Sequence, residues 1–199
     1  MAVADLTLEG LIHDLNNVFQ IIGDSAELLE SDPKWAKLGQ TLQRNVDRGQ
    51  RIVNSILETN RSAAEFGPVV RDCIQFCNDY LESAHGPKIE FAPRIDPEFR
   101  PPGDAVSWER VLVNLFLNSA RAGARHIGIE ASNDEIVVSD DGPGISPELL
   151  PRIFQPRVST KPVLSGMGLY VVQSIVEQNG GTVCAANGAT GGAVFTIRL

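Results

Sequence analysis

Val137-Val138-Ser139-Asp140-Asp141-Gly142-Pro143-Gly144-Ile145-Ser146 is the stretch on which the fold of the second part of the chain turns. With Ile136, the two valines make a β-branched run of the kind that suits a pleated, half-buried surface. That strand delivers an acid into a glycine turn. A carboxylate at Asp140 can accept a hydrogen bond from an exocyclic amine such as that of adenine, and Gly142 and Gly144 let the backbone come close to a flat ring. In isolation the same letters also describe an ordinary Asp-Gly turn.

Upstream, residues 109–124 read ERVLVNLFLNSARAGA. Asn114 and Asn118, four apart on a helix, share a face, so both amides aim at one place. An amide oxygen is a suitable Mg2+ ligand and its NH2 donates to phosphate. Arg121, three residues on, adds a positive charge near the same point. Downstream, Gly166-Met167-Gly168-Leu169 opens a helix running to about Asn179, and glycines at a helix start leave backbone N–H groups for phosphate. Between the two glycine stretches, residues 155–165 hold Ser159, Thr160 and Lys161 in a segment poor in apolar residues, suited to a lid over a triphosphate. Taken singly, a bridging pair of core amides and a glycine-rich loop would account for these residues as well.

The stretches fall in a pattern that alternates helices and short β runs from Phe66-Gly67-Pro68 onward. Helices are expected at about 68–84, 105–123, 147–154 and 167–179, and strands at about 88–92, 126–131, 135–139, 182–186 and 193–199. Pro93, Pro97, Pro101 and Pro102 read as a loop. The expected architecture is an α/β sandwich over residues 66–199.

Residues 1–65 differ. From Leu6 to Glu30, the residues Leu8, Leu11, Leu15, Val18, Ile22 and Leu29 recur at steps of three and four, interrupted only at Ser25, which predicts a long amphipathic helix. Ser31-Asp32-Pro33 stops it. A second arm, from about 34 to 64, repeats the period through Leu38, Leu42, Val46, Gly49, Val53 and Ile56. A helical hairpin of this size buries little surface alone, so it is expected to pair with a second copy into a four-helix bundle.

Composition bounds the function. A net charge of −8 over 199 residues opposes a broad nucleic-acid or anionic-membrane surface, so any nucleotide is held locally by a motif. No run of about 18 apolar residues occurs, and Asp5, Glu9 and Asp14 occupy a start with no basic cluster; neither a span nor a signal peptide is expected. The expected location is cytoplasmic, without direct membrane contact. The three cysteines lack metal-ligand spacing, so reduced thiols and no structural zinc are expected, with Cys73 and Cys77 as small core residues.

On the first helix, His13-Asp14-Leu15-Asn16-Asn17 sets a histidine about 180° from the mean direction of Leu11 and Leu15, away from the apolar seam. Asn17 lies one turn on, on the same face. Asp14 can accept a hydrogen bond from one ring nitrogen, which leaves the other as a nucleophile and relieves the charge that develops on the ring. By itself the pentapeptide equally describes a surface histidine beside a solvated carboxylate.

The pentapeptide resembles the H-box of histidine kinases. Asn114/Asn118, then DDGPGI at 140–145, Arg152-Ile153-Phe154, STKP at 159–162 and GMGL at 166–169 resemble, in order, the N, G1, F, lid and G2 boxes of the GHKL ATPases. The resemblance covers almost the whole chain and implies a histidine kinase core: a dimerising phosphoacceptor domain at 1–65 and a Bergerat-type ATP-binding domain with a mixed sheet at 66–199. It implies ATP and Mg2+ as cofactors. Asn118 would be the metal ligand, Asn114 and Arg121 would assist at the phosphates, Asp140 would read adenine beside Gly142 and Gly144, and Thr160, Lys161, Gly166, Gly168 and Leu169 would close the phosphate end. His13 would take the phosphoryl group, with Asp14 as base and Asn17 positioning a water or phosphoryl oxygen in dephosphorylation. The implied partners are a second copy and a response-regulator receiver domain, with no nucleic acid.

Hydrolytic relatives on this fold carry Glu four residues before the metal-binding Asn; here that residue is Asn114, which cannot take a proton from water, so transfer to His13 is favoured over hydrolysis. The alternative is a phosphotransfer scaffold that presents His13 beside an inactive or structural nucleotide domain. Gln155, Arg157 and Tyr170 depart from the family pattern near the lid and after GMGL.

Overall fold

The computed structural model describes residues 8–54, 65–156 and 167–199, and the chain divides into two compact units, residues 1–60 and 61–199. In the first, α1 (Leu8–Glu30) and α2 (Ala36–Asn54) form an antiparallel pair joined by a turn, in which Trp35 N–H donates to the Asp32 carbonyl at 2.9 Å and Lys34 N–H to the Asp32 side chain at 2.9 Å. An Asx residue offering its side chain to the backbone two positions on stops the first helix. The helices approach closely where α2 carries glycine. A Cβ at Gly39 would stand 2.6 Å from the Ala26 carbonyl oxygen, and one at Gly49 would stand 2.5 Å from the Phe19 ring.

The face that α1 turns to α2 is not the stripe expected from its periodicity. Ile12 and Ala26 are buried, with Gly23 and Phe19 on the same side, whereas Leu11, Leu15, Val18 and Ile22 are exposed. At about 100° per residue the two stripes lie roughly 90° apart, so α1 presents one apolar face to α2 and a second to its surroundings. Leu38 is likewise exposed, while Val46 and Val53 are buried. Residues 55–64 of the expected second arm lie outside the described residues.

The second unit is a five-stranded mixed sheet of order β1-β2-β3-β5-β4, comprising β1 (Glu90–Ile95), β2 (His126–Ser132), β3 (Glu135–Asp140), β4 (Thr182–Asn187) and β5 (Ala193–Arg198). Only the β1–β2 pair is parallel, and it is bridged by α4 (Ala105–Ala122). The other pairs are antiparallel. Alternation on the strands is clean: Ile127, Ile129 and Ala131, then Ile136 and Val138, then Ala193, Phe195 and Ile197 point to one buried face. With α3 (Phe66–Ser83), α4 and α5 (Gly168–Gln178) they build one core around Trp108, Phe66, Phe116 and Leu112. Cys73 and Cys77 are buried on α3.

Two expectations need correction. The first strand runs through Pro93 instead of ending before it; β1 is the sheet edge and pairs only with β2, so the missing proline N–H costs no ladder bond on the open side. In place of a helix over 147–154 the chain makes a single 3-10 turn, Leu150–Arg152, with Pro151 inside it. α4 is bounded as its sequence dictates, with Asp104 accepting from the Ser107 N–H at 2.8 Å and Gly123 closing it in the left-handed region at φ 102°. Among the described residues no helix is long and apolar enough to cross a membrane.

Candidate functional site

β3 ends in Asp140, and three donors from three directions hold its carboxylate. Ser119 on α4 donates its hydroxyl to Oδ2 at 2.6 Å, and Gly142 and Ala193 donate their backbone N–H groups to Oδ1 at 2.9 and 3.0 Å. A carboxylate has about four lone-pair sites. Three are taken by protein donors, and the last, on Oδ2, suits an amine. Ala193 reaches Oδ1 because the β3–β5 ladder pairs Ser139 with Val194, setting the start of β5 beside the end of β3. Gly192, at φ 78°, lies against the Asp140 carbonyl oxygen so closely that no Cβ fits.

The turn that follows is held at its far end by Asn187, the last residue of β4. Its Oδ1 accepts from the Ile145 N–H at 2.7 Å and its Nδ2 donates to the Ile145 carbonyl at 2.8 Å. Gly144, at φ 77°, lies beside that amide; a Cβ there would stand 2.8 Å from Asn187 Oδ1. Asp141 faces the other way. It accepts from the N–H groups of Arg125 and His126 at 2.7 and 2.9 Å and from His126 Nδ1 at 2.7 Å, while His126 Nε2 meets Glu90 at 3.2 Å. These bonds from His126 and Arg125 hold the Asp141 carboxyl far below its ordinary range. Correspondingly, the bond to Asp141, with Glu90 adding to it, raises the His126 pKa.

Across α4, Asn114 and Asn118 meet the first turn of α5. Asn114 Nδ2 donates to the Arg110 carbonyl at 2.7 Å, which turns its Oδ1 outward. A Cβ on Gly168 would lie 2.8 Å from that oxygen and 3.6 Å from Asn118 Nδ2, so glycine lets the α5 backbone seat against both amides. Met167 precedes the helix without a side-chain cap, which leaves first-turn N–H groups at a positive dipole end beside two carboxamides. A neutral amide oxygen can ligate Mg2+, and backbone N–H groups can hold phosphate oxygens, so this set fits a magnesium-bound polyphosphate.

The structure thus gathers Asn114, Asn118 and Gly168 at one point, with Leu169 half-buried next to them, and Asp140, Gly142 and Gly144 at another on the same unit. Arg121 is exposed in the last turn of α4. Asp14 and Asn17 are exposed on α1. His13 is on the same helix, but its side chain, like Thr160, Lys161 and Gly166, lies outside the described residues. Ser119, Asn187 and Gly192 were not singled out from sequence. Ser119 adjoins Asn118, and Asn187 precedes and Gly192 ends the glycine-rich 188–192 turn, but only the sheet order brings them to Asp140 and Ile145.

Comparison with known proteins gives this geometry a context. Residues 103–199 match the family of histidine kinase-, DNA gyrase B-, and HSP90-like ATPases. The chain is 31% identical over 208 residues to the sensor histidine kinase ZraS of Klebsiella oxytoca, covering 96% of this chain and 44% of that protein. It therefore spans less than half the length of that relative. Among solved structures, the mycobacterial sensor histidine kinase MprB is 23% identical with a TM-score of 0.61, over 70% of this chain and 97% of that one. Full-length ShkA in complex with AMPPNP is 21% identical with a TM-score of 0.60, over 96% of this chain and 44% of that one.

Proposed function

We propose that this chain, whose residues 103–199 match the histidine kinase-, DNA gyrase B-, and HSP90-like ATPases, is the core of a two-component histidine kinase, transferring the γ-phosphoryl group of ATP to His13. Residues 1–65 act as the dimerising phosphoacceptor domain and residues 66–199 as the catalytic domain. The observation that carries the reading is the seating of Gly168 on Asn114 and Asn118, which makes one phosphate-end site out of two segments fifty residues apart in sequence.

The residues divide the work by chemistry. Asp140 reads the base amine through the remaining site of Oδ2, and Gly142 and Gly144 let the backbone lie against the ring. Asn118 is the Mg2+ ligand, with Asn114 and Arg121 beside the phosphates and Thr160, Lys161, Gly166, Gly168 and Leu169 closing over them. Bound there, Mg2+ neutralises phosphate charge. A ring nitrogen of His13 attacks phosphorus, the N–P bond forms as the P–O bond to the β-phosphate breaks, and ADP leaves; Asp14, as base, accepts the proton of the other ring nitrogen and so relieves the positive charge developing on the ring. Asn17, one turn along α1, positions a water or phosphoryl oxygen in dephosphorylation.

Asn114 in place of a glutamate supports transfer over hydrolysis, since an amide is no general base. The exposed stripe Leu11, Leu15, Val18 and Ile22 supports a homodimer, because a soluble helix with a second apolar face needs a second surface to cover it. A response-regulator receiver aspartate then accepts the phosphoryl group, in the cytoplasm and without nucleic acid. Incubation with γ-labelled ATP gives an acid-labile, alkali-stable label that His13→Ala abolishes. Label surviving that substitution would sink the reading, and nucleotide binding without any label would favour the phosphotransfer scaffold.

A further inference from the structure

We infer that Asn187 is a positioning residue of the nucleotide pocket, fixing the Gly142–Ile145 turn from the end of β4. The inference rests on Asp140 reading the base, and it concerns a residue whose carboxamide bonds to the backbone of the turn. One carboxamide satisfies both backbone groups of one residue: Oδ1 takes the Ile145 N–H at 2.7 Å and Nδ2 gives to the Ile145 carbonyl at 2.8 Å, across 42 residues of sequence. This side chain substitutes for the strand partner that the turn lacks. It is seated in the space left by Gly144, where a Cβ would stand 2.8 Å from Oδ1.

The start of the turn has a separate hold. Asp140 Oδ1 takes the Gly142 N–H at 2.9 Å and the Ala193 N–H at 3.0 Å. Both holds originate in one hairpin, since β4 contributes Asn187 and β5 contributes Ala193, and the ladder pairs those two residues with each other. The glycine turn is therefore clamped at two ends by the two residues of a single rung of the sheet. Releasing the Asn187 end leaves Asp140 in place but frees the backbone that must lie against the base. Loss of a preorganised surface for the base is loss of uniform binding, felt equally by ATP and ADP, so affinity falls while transfer at saturation does not.

The test uses ADP binding by calorimetry, MgATP-dependent phosphorylation of the intact chain, and the thermal midpoint without nucleotide. Asn187→Ala is expected to weaken ADP about tenfold, from two lost hydrogen bonds, with kcat unchanged and KM for ATP raised in parallel. Asn187→Asp is the discriminating variant. It matches asparagine in shape but turns an acceptor oxygen to the Ile145 carbonyl, so it is expected to bind ADP no better than the alanine variant. A further arm combines Asn187→Ala with Gly144→Ala: the alanine methyl then finds room, and the pair costs less than the sum of the single changes. If Asn187→Asp binds ADP like the unaltered chain, or if both variants lower only the thermal midpoint, the positioning role is overturned. An unaltered chain that binds no ADP overturns the nucleotide reading and this inference with it.

Discussion

The Ser119 hydroxyl donates to Asp140 Oδ2 at 2.6 Å, from a residue only 2% exposed, and so ties the last turn of α4 to the end of β3. The two residues stand 21 apart in sequence. Because Ser119 adjoins Asn118, this bond links the helix that carries the amides proposed to meet the phosphates to the acid proposed to read the base. Removing the hydroxyl leaves Asp140 with two backbone donors on Oδ1 and both Oδ2 positions unfilled on a half-buried carboxylate. Ser119→Ala is expected to lower stability by about 1–2 kcal/mol and to weaken ADP severalfold, read from urea denaturation and calorimetry on the same preparations. Affinity unchanged to within twofold would show that Asp140 needs no such support.

Gly192 and Gly123 make a controlled pair. Both have positive φ, at 78° and 102°, but a Cβ at Gly123 meets nothing within 4 Å, whereas one at Gly192 collides with the Asp140 carbonyl. Gly123→Ala is expected to cost about 1 kcal/mol from backbone strain alone. Gly192→Ala adds a backbone clash and is expected to cost about 3 kcal/mol or more. Equal urea midpoints for the two variants would contradict the close approach at Asp140.

The His126–Asp141 pair makes stability depend on pH in a definite direction. The His126 pKa is raised above its ordinary 6.5, so its stabilisation is complete below that value and is lost as pH rises through the higher folded pKa. The Asp141 pKa is depressed below its ordinary 3.8, so its stabilisation is complete above that value and is lost as pH falls toward the folded pKa. Both contributions are present together between about pH 4 and 6.5. The difference in urea midpoint between the unaltered chain and His126→Gln should be largest in that window and shrink in alkaline buffer. A difference that stays constant from pH 5 to 9 rules out this pair as the source.

Asn118→Ala is expected to remove the Mg2+-dependent part of nucleotide affinity and leave metal-free ADP binding nearly as it was. The ratio of ADP affinities with and without Mg2+ reports this directly. A ratio unchanged by the substitution would mean the metal is held elsewhere.

Leu15 belongs to the exposed stripe of α1 and not to the face against α2. Leu15→Glu is expected to shift the chain from dimer to monomer in sedimentation at micromolar concentration. Substituting the buried Ile12 by alanine should instead lower the thermal midpoint by loosening the α1–α2 pair. Dimers that tolerate Leu15→Glu would exclude this stripe from the interface.

Much of the fold was legible locally. β2, β3, β4, α4 and α5 fall within a residue or two of their expected ranges because each has a period, a cap or a glycine boundary of its own. The edge strand was misplaced because Pro93 signals a break unless the strand has an open side, a property of sheet order and not of proline. The helix expected at 147–154 shrank to Leu150–Arg152 because Pro151 falls inside a span too short to outweigh an internal proline. At the site, the types Asn114, Asn118, Asp140 and Gly168 were legible from spacing, whereas their supports were not: Ser119 and Asn187 carry no local mark that distinguishes them from any polar surface residue.

The amino-acid sequence alone determined most of the segments that are helices and strands, where glycine permits the backbone to turn or to approach, and which side chains are chemically suited to a nucleotide site. These are local properties, set by periodicity and side-chain type. The tertiary structure alone decided which of two apolar stripes on α1 faces α2, since that depends on where α2 places Gly39 and Gly49. It also decided that Asp140 is held by Ser119 and Ala193, and Ile145 by Asn187, through hydrogen bonds between residues 21, 53 and 42 apart. Such pairs exist only once strand order has been set, because a hydrogen bond needs its partners within about 3 Å and no spacing along the chain reports that distance.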